Sequence, residues 1–273
     1  MPFWIRFNMF IRSFFLQAGW NFVKYQNLGF TFVMIPFLRH LYKDDREALP
    51  TVLQRYLSVF NTNPVMASFC FGAMAKQEEI IKQTSALAAY KEQVTLWTGT
   101  RRGLSITAAS IGDRLFWGTL KPLTLLLGIF IWMLLGIPFY ATFLSDNIPT
   151  AYAFAGVLAG LVVYNSIAWF VRWQGIKKGY QADETSCCGL TCFDWNRTIY
   201  YAKRMGLLFA VALLLFGIYR YFSGIHTLNV SFIARATLVL CCVLAAFITR
   251  RLRIPNVYLY LAAAVTFSIV CLF

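Results

Sequence analysis

Residues 122–144 read PLTLLLGIFIWMLLGIPFYATFL, a run of about 23 residues without one charge. At roughly 1.5 Å per helical residue it reaches across the ~30 Å hydrocarbon core of a bilayer. A helix on the surface of a soluble domain carries one apolar stripe and one polar face, whereas this run is apolar all round. The stretch therefore decides the fold class: an all-α, polytopic integral membrane protein.

Outward from it, the same pattern recurs toward the C-terminus. Residues 151–171 are again uncharged, and residues 205–222 carry Arg220 only near one end, where a long side chain snorkels to the interface. Residues 230–248 and 254–273 complete about five transmembrane helices over residues 120–273. The loops after the second and fourth runs hold the basic residues: Arg172, Lys177, Lys178, Lys203 and Arg204, then Arg250, Arg251 and Arg253. The loop after the first run has Asp146 and no Lys or Arg. The positive-inside rule then predicts a cytoplasmic N-terminal half and a C-terminus outside.

Composition agrees. The 273 residues are 59% hydrophobic and 13% charged, against roughly 25% charged in soluble proteins. The net charge is +14, from 25 Lys and Arg against 11 Asp and Glu. Nucleic-acid binding needs such charge gathered on a soluble face. Here it sits in short loops between apolar runs, which excludes that class. The N-terminus is broken by Arg6 and Arg12 and does not read as a cleaved signal peptide. Cys187, Cys188 and Cys192 cluster in a polar loop, but their spacing is not that of two CxxC pairs and no His is near, so no metal site is expected.

Residues 1–119 read differently, as an amphipathic and re-entrant helical region on the cytoplasmic face. Residues 28–42 are apolar but short for a span and contain Pro36, as an interfacial or re-entrant helix does. Pro64 is a good first helical residue with Thr62 or Asn63 as cap, and the pattern predicts a helix from there to about residue 95. Glu78 and Lys82 are spaced for an i,i+4 ion pair on it.

Catalytic chemistry finds little material. There are two His, and no GxxxxGK[ST] loop. The acidic residues outside loops and helix ends are Glu78, Glu79 and Asp113. Asp113 is flanked by apolar residues, where a carboxylate is costly unless paired or facing water. Arg114 and Lys121 are candidate salt-bridge partners. The Asn61-Thr62-Asn63-Pro64 segment has two readings. Planar amides near an aromatic wall suit sugar hydroxyls, and the same four residues make a good turn and helix cap.

The same stretches carry a family resemblance. RSFFLQAGWN (12–21), QNLGF (26–30), IPFL (35–38), FNTNP (60–64) with Met66-Ala67-Ser68, IGD (111–113) with LFWGTLKP (115–122), Val171-Arg172-Trp173 and Lys178-Gly179-Tyr180 follow one another as in the IID subunits of the mannose/fructose/sorbose family of the sugar phosphotransferase system. The resemblance covers roughly residues 10–180 in register.

It implies a non-catalytic membrane subunit that pairs with a IIC subunit, as a trimer of such pairs in the bacterial cytoplasmic (inner) membrane. The pair translocates a mannose-type hexose, which cytoplasmic IIA and IIB proteins phosphorylate. No cofactor and no phosphorylation site on this chain are implied. Asn61, Thr62 and Asn63 are then the candidate substrate-binding residues. Gln26, Asn27, Glu78, Glu79, Asp113, Arg114 and Trp117 are candidate gating or structural polar groups. The chain departs from the family pattern at Val23, where an acidic residue is usual, at Thr107–Ser110, and at Arg114, where a small residue is usual. These departures keep a second expectation open: a structural or regulatory IID-like subunit without sugar flux of its own.

Overall fold

The computed structural model describes residues 1–84, 87–135, 150–182 and 184–223. They are helical, with isolated bridges at Asn21, Tyr25 and Phe60 and no strand among them. Residues Met1–Leu213 form one compact unit and Leu214–Phe273 a second. The helices are α1 (Phe3–Ser13), α2 (Asn27–Leu41), α3 (Leu49–Tyr56), α4 (Ala67–Gln83), α5 (Leu87–Gly112), α6 (Lys121–Leu134), α7 (Thr150–Gln181) and α8 (Trp195–Ser223). A π-helical stretch, Asp113–Leu120, joins α5 to α6 without a break, and a 3₁₀ turn, Glu184–Cys192, precedes α8.

Three helical segments are long and apolar enough to cross a membrane: Ala88–Trp132, Phe154–Gln181 and Cys188–Phe216. The first three expected spans overlap these segments, and residues 136–144 of the first lie outside the described residues. The expected spans at residues 230–248 and 254–273 lie outside the described residues. Many of the large exposed side chains of α7 and α8 are apolar, among them Phe154, Leu158, Val162, Phe170, Leu207 and Leu214. Water would penalise that surface and lipid does not.

The core of the first unit is aromatic. Phe30 stands 4.3 Å from Phe60, 5.4 Å from Phe71 and 5.8 Å from Tyr56 (ring centroids), and Tyr56 is 4.9 Å from Trp97. These rings come from α2, α3, α4, α5 and the 57–66 connection, and all are buried. Each contributes about 1.5–3 kcal/mol by burial. They fix the connection that carries the polar residues described below. Helix α4 packs most extensively on α7. A methyl group at Gly72 would run into the Ile176 carbonyl, and one at Gly179 into that of Phe69, so this crossing brings main chain against main chain.

Two expectations are corrected here. The helix predicted from residue 64 to 95 is two helices: α4 ends where Thr84 turns extended (φ −83°, ψ 112°), and α5 begins at Leu87. Helices α4 and α5 pack against each other, which requires the chain to turn between them, and no local pattern encodes that contact. The Glu78–Lys82 pair does not form, because packing turns Glu78 into the protein (0% exposed) while the Lys82 ammonium reaches the Leu41 carbonyl. The short apolar segment at residues 28–42 is α2, 15 residues around Pro36, with Phe30, Val33, Met34, Phe37 and Leu38 buried in protein.

Candidate functional site

A polar seam runs from α2 through the 57–66 connection to the junction of α5 with the π-helical stretch. It begins in the loop before α2. Tyr25 sits in the left-handed region (φ 58°), a conformation costing a non-glycine residue roughly 1 kcal/mol or more. Reciprocal main-chain bonds between Asn21 and Tyr25 (3.0 and 2.9 Å) hold it. The Asn21 amide donates to Asn27 Oδ1 (2.8 Å), and Asn27 Nδ2 donates to the Leu57 carbonyl (3.0 Å). Gln26 then grips Thr62 at both peptide groups: Nε2 donates to the Thr62 carbonyl (2.9 Å) and Oε1 accepts from its N–H (3.0 Å). This is the pairing a neighbouring strand would make, supplied by one side chain.

The seam continues onto α5. The Thr62 hydroxyl donates to the Ser105 carbonyl (2.8 Å). Asn63 Oδ1 accepts from the N–H groups of Val65 (3.1 Å) and Met66 (3.4 Å), capping the turn that leads into α4. Its other end, Nδ2, donates to Asp113 Oδ1 (3.1 Å). Gly112 permits this approach, since a side chain there would overlap that of Asn63. Asn63 thus caps the turn ahead of α4, whose own first residue is Ala67 and not the expected Pro64, and binds Asp113 in addition.

Asp113 is exposed, and no ion pair to it exists among the described residues. The expected partners turn elsewhere. Arg114 donates to Asn196 Oδ1 at the start of α8 (3.3 Å), and the Lys121 ammonium lies 4.5 Å from the centroid of the Trp117 ring. Adjacent helical residues project apart, so Arg114 cannot face Asp113 on one helix. Asn61 is exposed, and no described side chain engages its amide. Trp117 is exposed about one π-turn beyond Asp113. Asn61, Asp113, Arg114 and Trp117 are therefore the exposed members of the expected set. Thr62, Asn63, Gln26 and Asn27 are committed to internal bonds.

Glu78 and Glu79 stand apart from the seam. Glu78 Oε1 accepts from Tyr42 (2.8 Å) and from the Arg55 guanidinium, and Oε2 accepts from Tyr56 (2.9 Å). Burial first, and then the Glu78 charge, push both tyrosine hydroxyls well above their ordinary range. For Arg55, burial acts to lower the pKa, and the Glu78 carboxylate outweighs it and raises it. Glu79 accepts from Tyr180 on α7 (2.5 Å) and pairs with Lys76 (3.6 Å). Both carboxylates are structural clamps.

Sequence reasoning missed Arg101, which is 4% exposed. Its guanidinium donates to the carbonyls of Tyr56 (3.2 Å) and Ser58 (3.1 Å) and to the Ser58 hydroxyl, and stacks 4.5 Å from the Phe30 centroid and 5.2 Å from that of Phe60. It clamps the chain just before Asn61. Nothing in the Arg101-Arg102 pair distinguishes the buried residue from its exposed neighbour.

A family model described as the PTS system mannose/fructose/sorbose family IID component matches residues 5–215. The chain belongs to this family. It is 31% identical over 172 residues to the mannose-specific EIID component of Escherichia coli K12, covering 63% of this chain and 53% of that protein. It is 32% identical over 174 residues to the fructose permease IID component of Bacillus subtilis (64% and 55%). With the sorbose-specific EIID component of Klebsiella pneumoniae it shares 31% over 176 residues (64% and 55%). The chain spans about half the length of these curated relatives. A solved structure described only as a membrane protein superposes with a TM-score of 0.59 at 26% identity, over 78% of this chain and 70% of that one. The mannose transporter ManYZ, solved with microcin E492, gives 0.55 at 22% identity over 97% and 94%, a likeness of fold. The amide and carboxylate side chains of this IID family member's seam, Asn21, Gln26, Asn27, Asn63 and Asp113, fall in segments that carry the sequence resemblance, 12–21, 26–30, 60–64 and 111–113, while Tyr25, Leu57 and Ser105 lie outside them.

Proposed function

We propose that this chain is the IID subunit of a mannose-type permease, paired with a IIC subunit and moving a hexose-type sugar across the bacterial inner membrane while IIA and IIB proteins phosphorylate it. The observation that supports this best is the exposure of Asn61, Asp113 and Trp117 on a rigid polar seam. An amide and a carboxylate match vicinal hydroxyls, and an indole face packs on a sugar ring. Thr62 and Asn63 act through the seam by holding Asn61 and Asp113 in place. The N-terminal half faces the cytoplasm, the C-terminus lies outside, and the complex is a trimer of IIC–IID pairs.

The test is sugar uptake by cells carrying this chain with its IIC partner and the cytoplasmic phosphocarriers. Asn61→Ala and Asp113→Asn are expected to weaken uptake at least tenfold while the pair still co-purifies. Unchanged uptake in both variants refutes the role given to the site. A second reading, a structural or regulatory subunit without sugar flux, draws on one observation: Arg114, where the family pattern has a small residue, is tied to Asn196 at the start of α8. On that reading Arg114→Ser switches on uptake that the unaltered chain lacks.

A further inference from the structure

Helices α6 and α7 cross at close range, with Gly128 facing Gly156 and Gly160 facing the Thr124 carbonyl. Residue numbers rise along one helix as they fall along the other, so the pair is antiparallel. Beside this crossing lies an open groove of about 650 Å³, apolar along its walls. Its two ends differ. At one end stand Trp117, Lys121 and Tyr164; toward the other the lining residues are Trp132 and Gly156.

Three facts indicate the occupant. Along α6 the groove runs from Lys121 to Trp132, about 16 Å at 1.5 Å per residue. That is half of the ~30 Å hydrocarbon core, the depth of one leaflet, and too short to seat a spanning partner helix. The Trp–Lys–Tyr trio at one end is the combination that settles at the membrane–water interface. Finally, no carboxylate lies within ion-pair distance of the exposed Lys121 among the described residues, and its ammonium rests against Trp117 at the mouth of the groove.

We propose that the groove between α6 and α7 binds one acyl chain of an anionic phospholipid, with the headgroup phosphate held at Lys121. The cation supplies the preference for negative charge, and the apolar side chains of Leu125, Ile129, Val157 and Leu161 line the path of a methylene chain. This site shares Trp117 with the sugar-facing groups, and its test reads lipid retention rather than transport.

The experiment is native mass spectrometry of the full chain in detergent, titrated with phosphatidylglycerol or with phosphatidylcholine of the same chains. The unaltered protein is expected to retain phosphatidylglycerol at least fivefold better. Lys121→Gln should abolish that preference and leave the phosphatidylcholine signal unchanged. Leu125→Trp, which fills the groove from an exposed position, should lower retention of both lipids; Leu207→Trp, equally exposed but on α8, should lower neither. Equal retention of the two lipids by the unaltered protein overturns the proposal. So does a preference that survives Lys121→Gln, or a crosslink from residue 125 to a partner subunit in place of lipid.

Discussion

The Asn63 amide donates to the Asp113 carboxylate across 3.1 Å, tying together residues that lie 50 positions apart in the chain. With its oxygen capping the turn at Val65, Asn63 has both ends of its amide engaged. The orientation of Asp113 therefore depends on a residue that itself cannot turn.

This bond predicts a charge-swap pattern. Asn63→Asp sets two carboxylates side by side and is expected to lower the thermal midpoint of the purified protein and to abolish uptake. Asn63→Asp combined with Asp113→Asn restores a donor–acceptor pair and should recover much of the lost thermal midpoint, while uptake stays low because the Asp113 carboxylate is gone. A double-mutant cycle should return a coupling of about 1 kcal/mol, the lower range for contacting residues because Asp113 is exposed. Strict additivity refutes the bond.

The Glu78 cluster predicts alkaline sensitivity. Tyr42 and Tyr56 have pKa values raised in the folded protein, by burial and then by Glu78, above an unfolded value near 10. The folded state therefore keeps protons that the unfolded chain releases. The stabilisation is whole below pH ~10 and is lost as pH rises beyond it. Thermal melts from pH 8 to 11 should show a falling midpoint, and Tyr56→Phe should flatten the fall. Glu78→Ala, which strands the Arg55 charge, should destabilise by about 3–5 kcal/mol at neutral pH.

Two glycines should respond in opposite directions. Gly99 is exposed on α5 with nothing near a built methyl group, and Gly99→Ala should stabilise by about 1 kcal/mol through helix propensity. Gly72→Ala pushes a methyl group against the Ile176 carbonyl and should destabilise by at least 1–3 kcal/mol. Melting curves of the two variants against the parent decide the matter.

Arg101 should be irreplaceable by lysine. A single ammonium cannot reach the Tyr56 and Ser58 carbonyls and also stack on Phe30. Arg101→Lys is expected to loosen residues 56–61, visible as faster hydrogen exchange of the Asn61 amide. Unchanged exchange there removes Arg101 from the seam.

The long apolar runs were the legible part of the fold. Residues 151–171 lie within α7, because hydropathy alone marks a bilayer helix. The extension of α7 to Gln181 was not legible, since that end is held by contacts with α4 that no local pattern encodes. At the site, Asn63 was readable as a cap from the Asn-Pro spacing. Its bond to Asp113, the Gln26 grip on Thr62 and the Arg101 clamp are long-range contacts, and nothing in a single sequence pairs such positions. The Glu78–Lys82 expectation failed for a related reason: i,i+4 spacing shows that two residues can meet, and burial decides whether they do.

The π-helical stretch at Asp113–Leu120 holds a further consequence. Its wider turn, reinforced where the Thr119 hydroxyl donates to the Arg114 carbonyl five residues back (2.8 Å), accommodates more residues than an α-helix of equal rise. It acts as a rotary offset between the face of α5 that meets α4 and the face of α6 that meets α7. Removing one residue there, such as Gly118, would let the stretch close toward α-helical turns and so change the bearing of everything beyond it. Lys121 and its groove would swing together away from Asp113, which would keep its bond to Asn63. The wide turn thus sets the relative bearing of two surfaces on one continuous helix, and a single-residue deletion would separate them without breaking either.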